Sequence, residues 1–157
     1  MNSSFFSTQK KLGILGGGQL GAMFTGAARR MGYRVAVWYP DSDAPAHRIA
    51  DQSFSTSFAD HDTRERFVDT VHAMTLEWEN IPVELCRWLE QRRPLRPSSA
   101  VLRILQDRLT QKQFLSSCSI PVPDFAEVQS VHQLHHVIKR LGLPLICKTA
   151  TSGYDGK

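Results

Sequence analysis

Cysteine is scarce, with 3 in 157 residues, and the three lie far apart at Cys86, Cys118 and Cys147. An odd count with no CxxC pair excludes a disulfide framework and a zinc ribbon. Such isolated thiols are expected to be small buried apolar residues of a protein kept in a reducing cytoplasm. Long apolar runs are missing too: none approaches the roughly 18 residues that cross a bilayer, so no membrane partner is expected. The opening segment, residues 1–10, has neither an apolar core nor a small-residue cleavage pattern, and reads as a flexible extension, not a secretory signal. Charge of one sign is not concentrated: 19 Lys and Arg stand against 15 Asp and Glu, and the formal net charge is +4. Only Gln91-Arg92-Arg93-Pro94-Leu95-Arg96 is locally basic, and no aromatic platform interleaves with it, so no nucleic-acid partner is expected. Internal repeats and low-complexity tracts are absent as well.

What is present is a soluble globular composition, 41% hydrophobic and 22% charged, laid out as alternating strands and helices. Lys11 to Leu15 is a short apolar strand that flows into Gly16-Gly17-Gly18-Gln19-Leu20-Gly21. A helix follows, with Met23, Phe24, Ala27, Ala28 and Met31 spaced for one buried face and Gly32 as its stop. Residues 34–39 form a second strand closed by Pro40-Asp41, which completes a βαβ unit and implies a parallel sheet. The pattern continues with a short helix over 45–50, a strand over 53–57 and a helix capped by Asp62 that carries Phe67, Val68 and Val71. A fourth strand over 74–77, a helix through Leu85, Trp88 and Leu89 with Asn80 as its cap, and a brief strand over 95–97 follow. Trp38, Trp78 and Trp88 are expected in the core.

The character changes near residue 98. Helical stretches from Ser98 and from Asp107 precede an extended Ile120-Pro121-Val122-Pro123 connector, because each proline disfavours α conformation in the residue before it. A strand over 125–128, a helix capped by Ser130 and stopped by Gly142, and a strand over 145–148 lead into Ser152-Gly153-Tyr154-Asp155-Gly156-Lys157. The expected fold class is α/β. A Rossmann-like parallel-sheet domain over 11–97 is followed by the incomplete start of a second domain over 98–157.

Two constellations carry chemistry. Gly16-x-Gly18-x-x-Gly21, after a strand and before a helix, lets the backbone turn tightly and presents unpaired N–H groups to an anion. A dinucleotide would also need an acid at the end of the second strand, and here Asp41 comes late, after a proline. Glu77 and Glu79 are two apart and, on a strand, share a face at the carboxyl end of a parallel sheet, where ligands bind. They can accept bonds from ribose hydroxyls or an amine. The second constellation is cationic: Arg108, and Lys148 after an apolar strand, suit phosphate oxygens, and the glycine-rich residues 153–157 suit a lid that closes over them. His132, His135 and His136 share a helix, with His132 and His136 four apart; no third ligand completes a metal site, so they read as solvated surface residues.

These segments together resemble the 5-(carboxyamino)imidazole ribonucleotide synthases, ATP-grasp enzymes of purine synthesis. The resemblance is carried by Gly16-Gly17-Gly18-Gln19-Leu20-Gly21, Asp43-Ala44-Pro45-Ala46, Glu77-Trp78-Glu79-Asn80-Ile81-Pro82, the Asp107-Arg108 to Lys112 segment and Gly153-Tyr154-Asp155-Gly156-Lys157. It covers the chain from about Lys11 to Lys157. It implies a pre-ATP-grasp domain whose Gly18, Gln19, Leu20, Glu77 and Glu79 contact aminoimidazole ribonucleotide. It implies ATP binding by Arg108, Lys148, Gly153, Tyr154, Asp155, Gly156 and Lys157, with Tyr154 and Asp155 also reaching the imidazole substrate. Ser152 stands where the family usually has a glycine, and altered loop mobility is expected there.

The activity implied is ATP-dependent joining of bicarbonate to aminoimidazole ribonucleotide through carboxyphosphate, with Mg2+ bridging the phosphates, in the cytoplasm. The family is often homodimeric. The adenine pocket and acidic metal ligands are expected beyond Lys157, so the 157-residue chain alone is expected to be inactive. Two alternatives remain at this point: a dinucleotide-binding oxidoreductase domain, and a non-catalytic truncated or split-gene fragment that binds a partner.

Overall fold

The computed structural model describes residues 10–152. The chain divides into two compact units, one running to Leu102 and the other starting at Arg103. In the first unit β1 (Lys11–Leu15), β2 (Arg34–Trp38), β3 (Gln52–Phe54), β4 (Ala73–Leu76) and β5 (Leu95–Arg96) form one sheet. Its order is β3-β2-β1-β4-β5, and every pairing is parallel. The helices are α1 (Gln19–Arg30), α2 (His61–Thr70), α3 (Val83–Glu90) and α4 (Ser99–Leu105), with a 3-10 turn at Pro45–Arg48; on α1 Met23 and Met31 are exposed, against expectation.

Successive side chains of a strand point to opposite faces, and the sheet is covered on both. Ile14, Val35 and Val37 pack on one side with Ala28 of α1 and Ala46 of the 3-10 turn. Leu15, Ala36 and Trp38 pack on the other with Phe67 and Val68 of α2 and Leu85 and Leu89 of α3. The division follows from chain direction. The path runs outward from β1 to β3, then jumps back across β1 to β4, and a right-handed crossover must change face when the direction of travel reverses.

Several boundaries differ from the sequence expectation. β3 ends at Phe54, not at 57, and the carbonyl of Thr56 accepts instead from the Trp38 indole at 3.0 Å. Asp60, not Asp62, caps α2: its Oδ1 accepts from the Thr63 amide at 2.7 Å, while Asp62 stands inside the first turn. α3 begins behind Pro82 with no side-chain cap bond, and Asn80 lies too far upstream to serve it. Trp38 is fully buried, whereas Trp78 and Trp88 are partly buried at the edge of the same core.

The second unit contains α5 (Arg108–Ser117) and α6 (Val131–Leu141). Asp107 caps α5 by accepting from Thr110, and Ser130 caps α6 by accepting from Gln133. Gly142, at φ 79°, closes α6 in a conformation that favours glycine. The strands expected over 125–128 and 145–148 are irregular segments. A strand exists through its ladder, and among the described residues neither segment has one. Neither α5 nor α6 has a buried residue. The thiols divide accordingly: Cys86 is buried in the first core, but Cys118 and Cys147 are exposed, against expectation. Among the described residues no helix is long and apolar enough to cross a membrane.

Candidate functional site

The reversal of chain direction leaves β1 and β4 side by side with their following loops diverging, and in open α/β sheets ligands bind in that crevice. The register of the two strands decides what lies there. Leu15 pairs with Leu76, so Gly16 and Glu77 are the first residues beyond the ladder on each strand. Glu77 N donates to the Leu15 carbonyl at 2.9 Å, and Gly16 N to the Trp38 carbonyl at 3.1 Å.

Glycine is required here for two separate reasons. Gly16 has φ 123°, and a Cβ on it would run into Glu77 Oε2 and lie 3.0 Å from Glu77 Cβ and 3.1 Å from Trp78 N. Gly17 has an ordinary φ but no room: a Cβ would lie 2.8 Å from Tyr39 Cδ1 and 2.9 Å from Ala44 Cβ. The Asp43-Ala44-Pro45-Ala46 segment is thereby explained, since Ala46 N also donates to the Gly17 carbonyl at 3.0 Å. That segment latches the outer side of the turn. Tyr39 meets Trp78 edge-on, with ring centroids 5.5 Å apart, and both rings also lie against Phe58. Sequence reading assigned Trp78 to the core and gave Tyr39 no part beyond ending β2; the signal available was Tyr39's place directly after β2.

Glu77 is brought to the turn. Its Oε2 accepts from Gly18 N at 3.4 Å, at the N-terminus of α1. The protein's own carboxylate thus lies beside the helix end at which an anion is expected. Gln19 and Leu20 open α1 beside it and are exposed, Leu20 at 63%. Glu77 and Glu79 do not share a strand face, because β4 stops at Leu76 and both glutamates lie in the turn beyond; Glu79 is exposed. Asp41, the acid a dinucleotide would need, accepts from Asp43 N at 3.0 Å in a local turn.

In the second unit Arg108 is the first residue of α5, and its backbone N–H donates to the Ala150 carbonyl at 2.9 Å. That bond ties the approach to the glycine-rich segment to the helix start. Bonds from Thr110 hold the Asp107 carboxyl below its ordinary range. Lys112 Nζ lies 5.2 Å from the centroid of the Phe125 ring. Lys148 is exposed. Ser152 adopts φ 60°, a region in which glycine is unstrained, so the serine takes the backbone shape expected of the residue it replaces. Gly153, Tyr154, Asp155, Gly156 and Lys157 lie outside the described residues.

Comparison with known proteins agrees with this geometry. Residues 9–106 match the ribonucleotide synthetase preATP-grasp domain, and residues 113–157 match the ATP-grasp domain. The N5-carboxyaminoimidazole ribonucleotide synthase of Staphylococcus epidermidis is 36% identical over 157 residues, covering 100% of this chain and 42% of that protein. That of Pseudomonas aeruginosa is 37% identical over 147 residues, covering 94% and 41%. Among solved structures, an N5-carboxyaminoimidazole ribonucleotide synthetase in its ADP complex matches with a TM-score of 0.89 at 37% identity, over 94% of this chain and 39% of that one. The Aspergillus clavatus enzyme in complex with ADP and 5-aminoimidazole ribonucleotide matches with a TM-score of 0.83 at 29% identity, over 93% and 39%. The chain thus spans about two fifths of the length of these relatives. With a parallel sheet of this order, a glycine turn at its switch point and a family match over most of its length, the chain belongs to the ribonucleotide synthetase preATP-grasp family, joined to the opening of an ATP-grasp domain.

Proposed function

We propose that this chain is the substrate-binding part, and the opening of the ATP clamp, of a carbon–nitrogen ligase that carboxylates 5-aminoimidazole ribonucleotide. Bicarbonate is the carbon source and ATP the activator, on the route to purine nucleotides. The observation that carries the reading is the Glu77 carboxylate 3.4 Å from Gly18 N at the sheet's switch point. A carboxylate there suits a ligand that brings hydrogen-bond donors, such as ribose hydroxyls or an exocyclic amine. It opposes a dinucleotide, because a pyrophosphate seated on the turn at about 4 Å from it would be repelled by roughly 4 kcal/mol per charge pair at an effective dielectric of about 20.

In the reaction a bicarbonate oxygen attacks the γ-phosphorus of ATP, and the bond to ADP breaks to leave carboxyphosphate. The amine nitrogen of the ribonucleotide then attacks the carboxyl carbon. Phosphate departs with the electrons of the broken C–O bond, and the nitrogen loses a proton to give 5-(carboxyamino)imidazole ribonucleotide. Gly18, Gln19, Leu20, Glu77 and Glu79 hold and orient the ribonucleotide. Arg108 and Lys148 offset charge on the phosphate oxygens, and residues 153–157 close over them, with Tyr154 and Asp155 touching both substrates. This is catalysis by positioning and charge neutralisation. Among the described residues no three His, Cys, Asp or Glu converge on one point, and no step is assigned to Mg2+. The complete enzyme is read as a cytoplasmic homodimer, a setting that suits thiols left free at Cys86, Cys118 and Cys147.

The test is ligand titration of the isotope-labelled chain followed by amide resonances. Aminoimidazole ribonucleotide is expected to shift residues 16–20 and Glu77, and NAD+ is not. Glu77→Gln is expected to weaken binding by roughly ten- to a hundredfold, the worth of hydrogen bonds to a charged acceptor. Shifts at the turn with NAD+ and none with the ribonucleotide would overturn the assignment. The 157-residue chain by itself is expected not to consume ATP; turnover that depends on the ribonucleotide would refute that.

A further inference from the structure

Away from the glycine turn, one pair of metal-ligating side chains on the second unit is used by nothing described above. His132 and His136 stand one helical turn apart on α6, and their rings meet edge-on with centroids 4.7 Å apart. Both are exposed. The backbone beneath them is fixed at each end by the Ser130 cap and by Gly142, whose N–H donates to the Ile138 carbonyl at 2.9 Å.

We propose that His132 and His136 form a two-imidazole chelate for a divalent transition metal of the Zn2+, Ni2+ and Cu2+ class. Two imidazoles binding one ion at about 2.1 Å with a tetrahedral angle place their ring centroids roughly 5 Å apart. The observed 4.7 Å is already at that scale. Exposed rings can turn about their side-chain bonds to aim a nitrogen each at a common point. The surroundings select the class of ion. α6 carries no carboxylate, and Lys139 and Arg140 follow in its last turn. Hard ions such as Mg2+ and Ca2+, which need oxygen ligands, gain nothing there, whereas borderline ions gain two nitrogen donors. Among the described residues no third ligand converges, so water fills the remaining positions and the site is an open, exchangeable one. Because no residue of α6 is buried, a clasp across one turn is a direct contribution to holding the helix closed.

Titration calorimetry of the full 157-residue chain with Ni2+, in the presence and absence of excess Mg2+, tests the proposal. One ion per chain is expected, unaffected by Mg2+. His132→Gln and His136→Gln should each weaken binding by about a hundredfold, the loss that goes with breaking a two-point attachment. Gln is a good helix former, and far-UV circular dichroism checks that α6 survives. His61→Gln, on α2, should leave binding intact. Bound Cu2+ should show two coordinated nitrogens by electron paramagnetic resonance, and amide exchange over residues 131–141 should slow when Ni2+ is added. Binding unchanged in both α6 variants, an equal loss in His61→Gln, or one ion per two chains with dimer formation would each overturn the single-chain chelate.

Discussion

Replacing Gly16 with alanine tests the geometry of the switch point directly. Two penalties apply, and they are separable. At φ 123° an L-residue is strained whatever the space around it, which costs on the order of 1–3 kcal/mol. The new methyl would also press on Glu77 Cβ at 3.0 Å and Trp78 N at 3.1 Å, and overpacking of this kind costs about 1–3 kcal/mol more. The third clash, with Glu77 Oε2, is with the far end of a flexible side chain, which can swing away at the loss of its bond to Gly18 N. The sum is roughly 2–6 kcal/mol, a large share of the 5–15 kcal/mol that holds a typical domain together. Urea unfolding followed by tryptophan fluorescence suits the measurement, because Trp38, Trp78 and Trp88 all lie in the first unit. A double-mutant cycle with Glu77→Ala then isolates the carboxylate: removing it should recover about 0.5–1.5 kcal/mol, since only the Oε2 clash disappears. Gly16→Ala within about 0.5 kcal/mol of the parent, or a cycle in which the two changes simply add, would refute the placement of Glu77 against the turn.

Other perturbations address other parts of the molecule. Cys118 and Cys147 are exposed and should react promptly with a thiol reagent, while the Cys86 thiol, pushed up to about 12 by burial and then by Glu90, should react only on unfolding; a third fast equivalent in the folded chain would contradict this. Ser99 donates to Glu90 from its hydroxyl at 2.6 Å and its amide at 2.8 Å, and these bonds hold the Glu90 carboxyl below its ordinary value of 4.5. The stabilisation is therefore complete above that ordinary value and is lost as pH falls through the lowered folded value. Glu90→Ala should lower stability at neutral pH by about 0.5–1.5 kcal/mol, because solvent screens the carboxylate, and flatten the acid limb of the stability curve, and an unchanged limb would remove Glu90 from that role. Asp107→Ala should fray the start of α5 through its lost cap, seen as faster amide exchange at Thr110 and the turn behind it.

Most of the first unit was legible because its strands are short apolar runs separated by turn residues. Their order in the chain, with right-handed crossovers, leaves few sheets to choose from. The caps at Ser130 and the stop at Gly142 were legible for a local reason: a hydroxyl three residues ahead of a free amide, and a glycine free to take φ 79°. Local reading failed where one residue type can act from neighbouring positions. Asp60 and Asp62 are both able caps, and only the helix start at His61 decides between them. It failed again over 125–128 and 145–148, where apolar spacing was read as strand, although a strand needs a partner that no local pattern supplies.

The chemistry of the site divides along the same line. Periodicity and the Gly16-x-Gly18-x-x-Gly21 spacing determined, from the sequence alone, that a tight turn would feed a helix N-terminus, because backbone freedom is a property of the residues themselves. That Glu77 would stand at that turn, with Tyr39 packed against Gly17, was decided by tertiary structure. The β1–β4 register sets Leu15 opposite Leu76, across 61 positions of chain, and so brings Gly16 and Glu77 together. Long-range pairing makes that choice, and pairing is a property of the folded sheet, not of either segment.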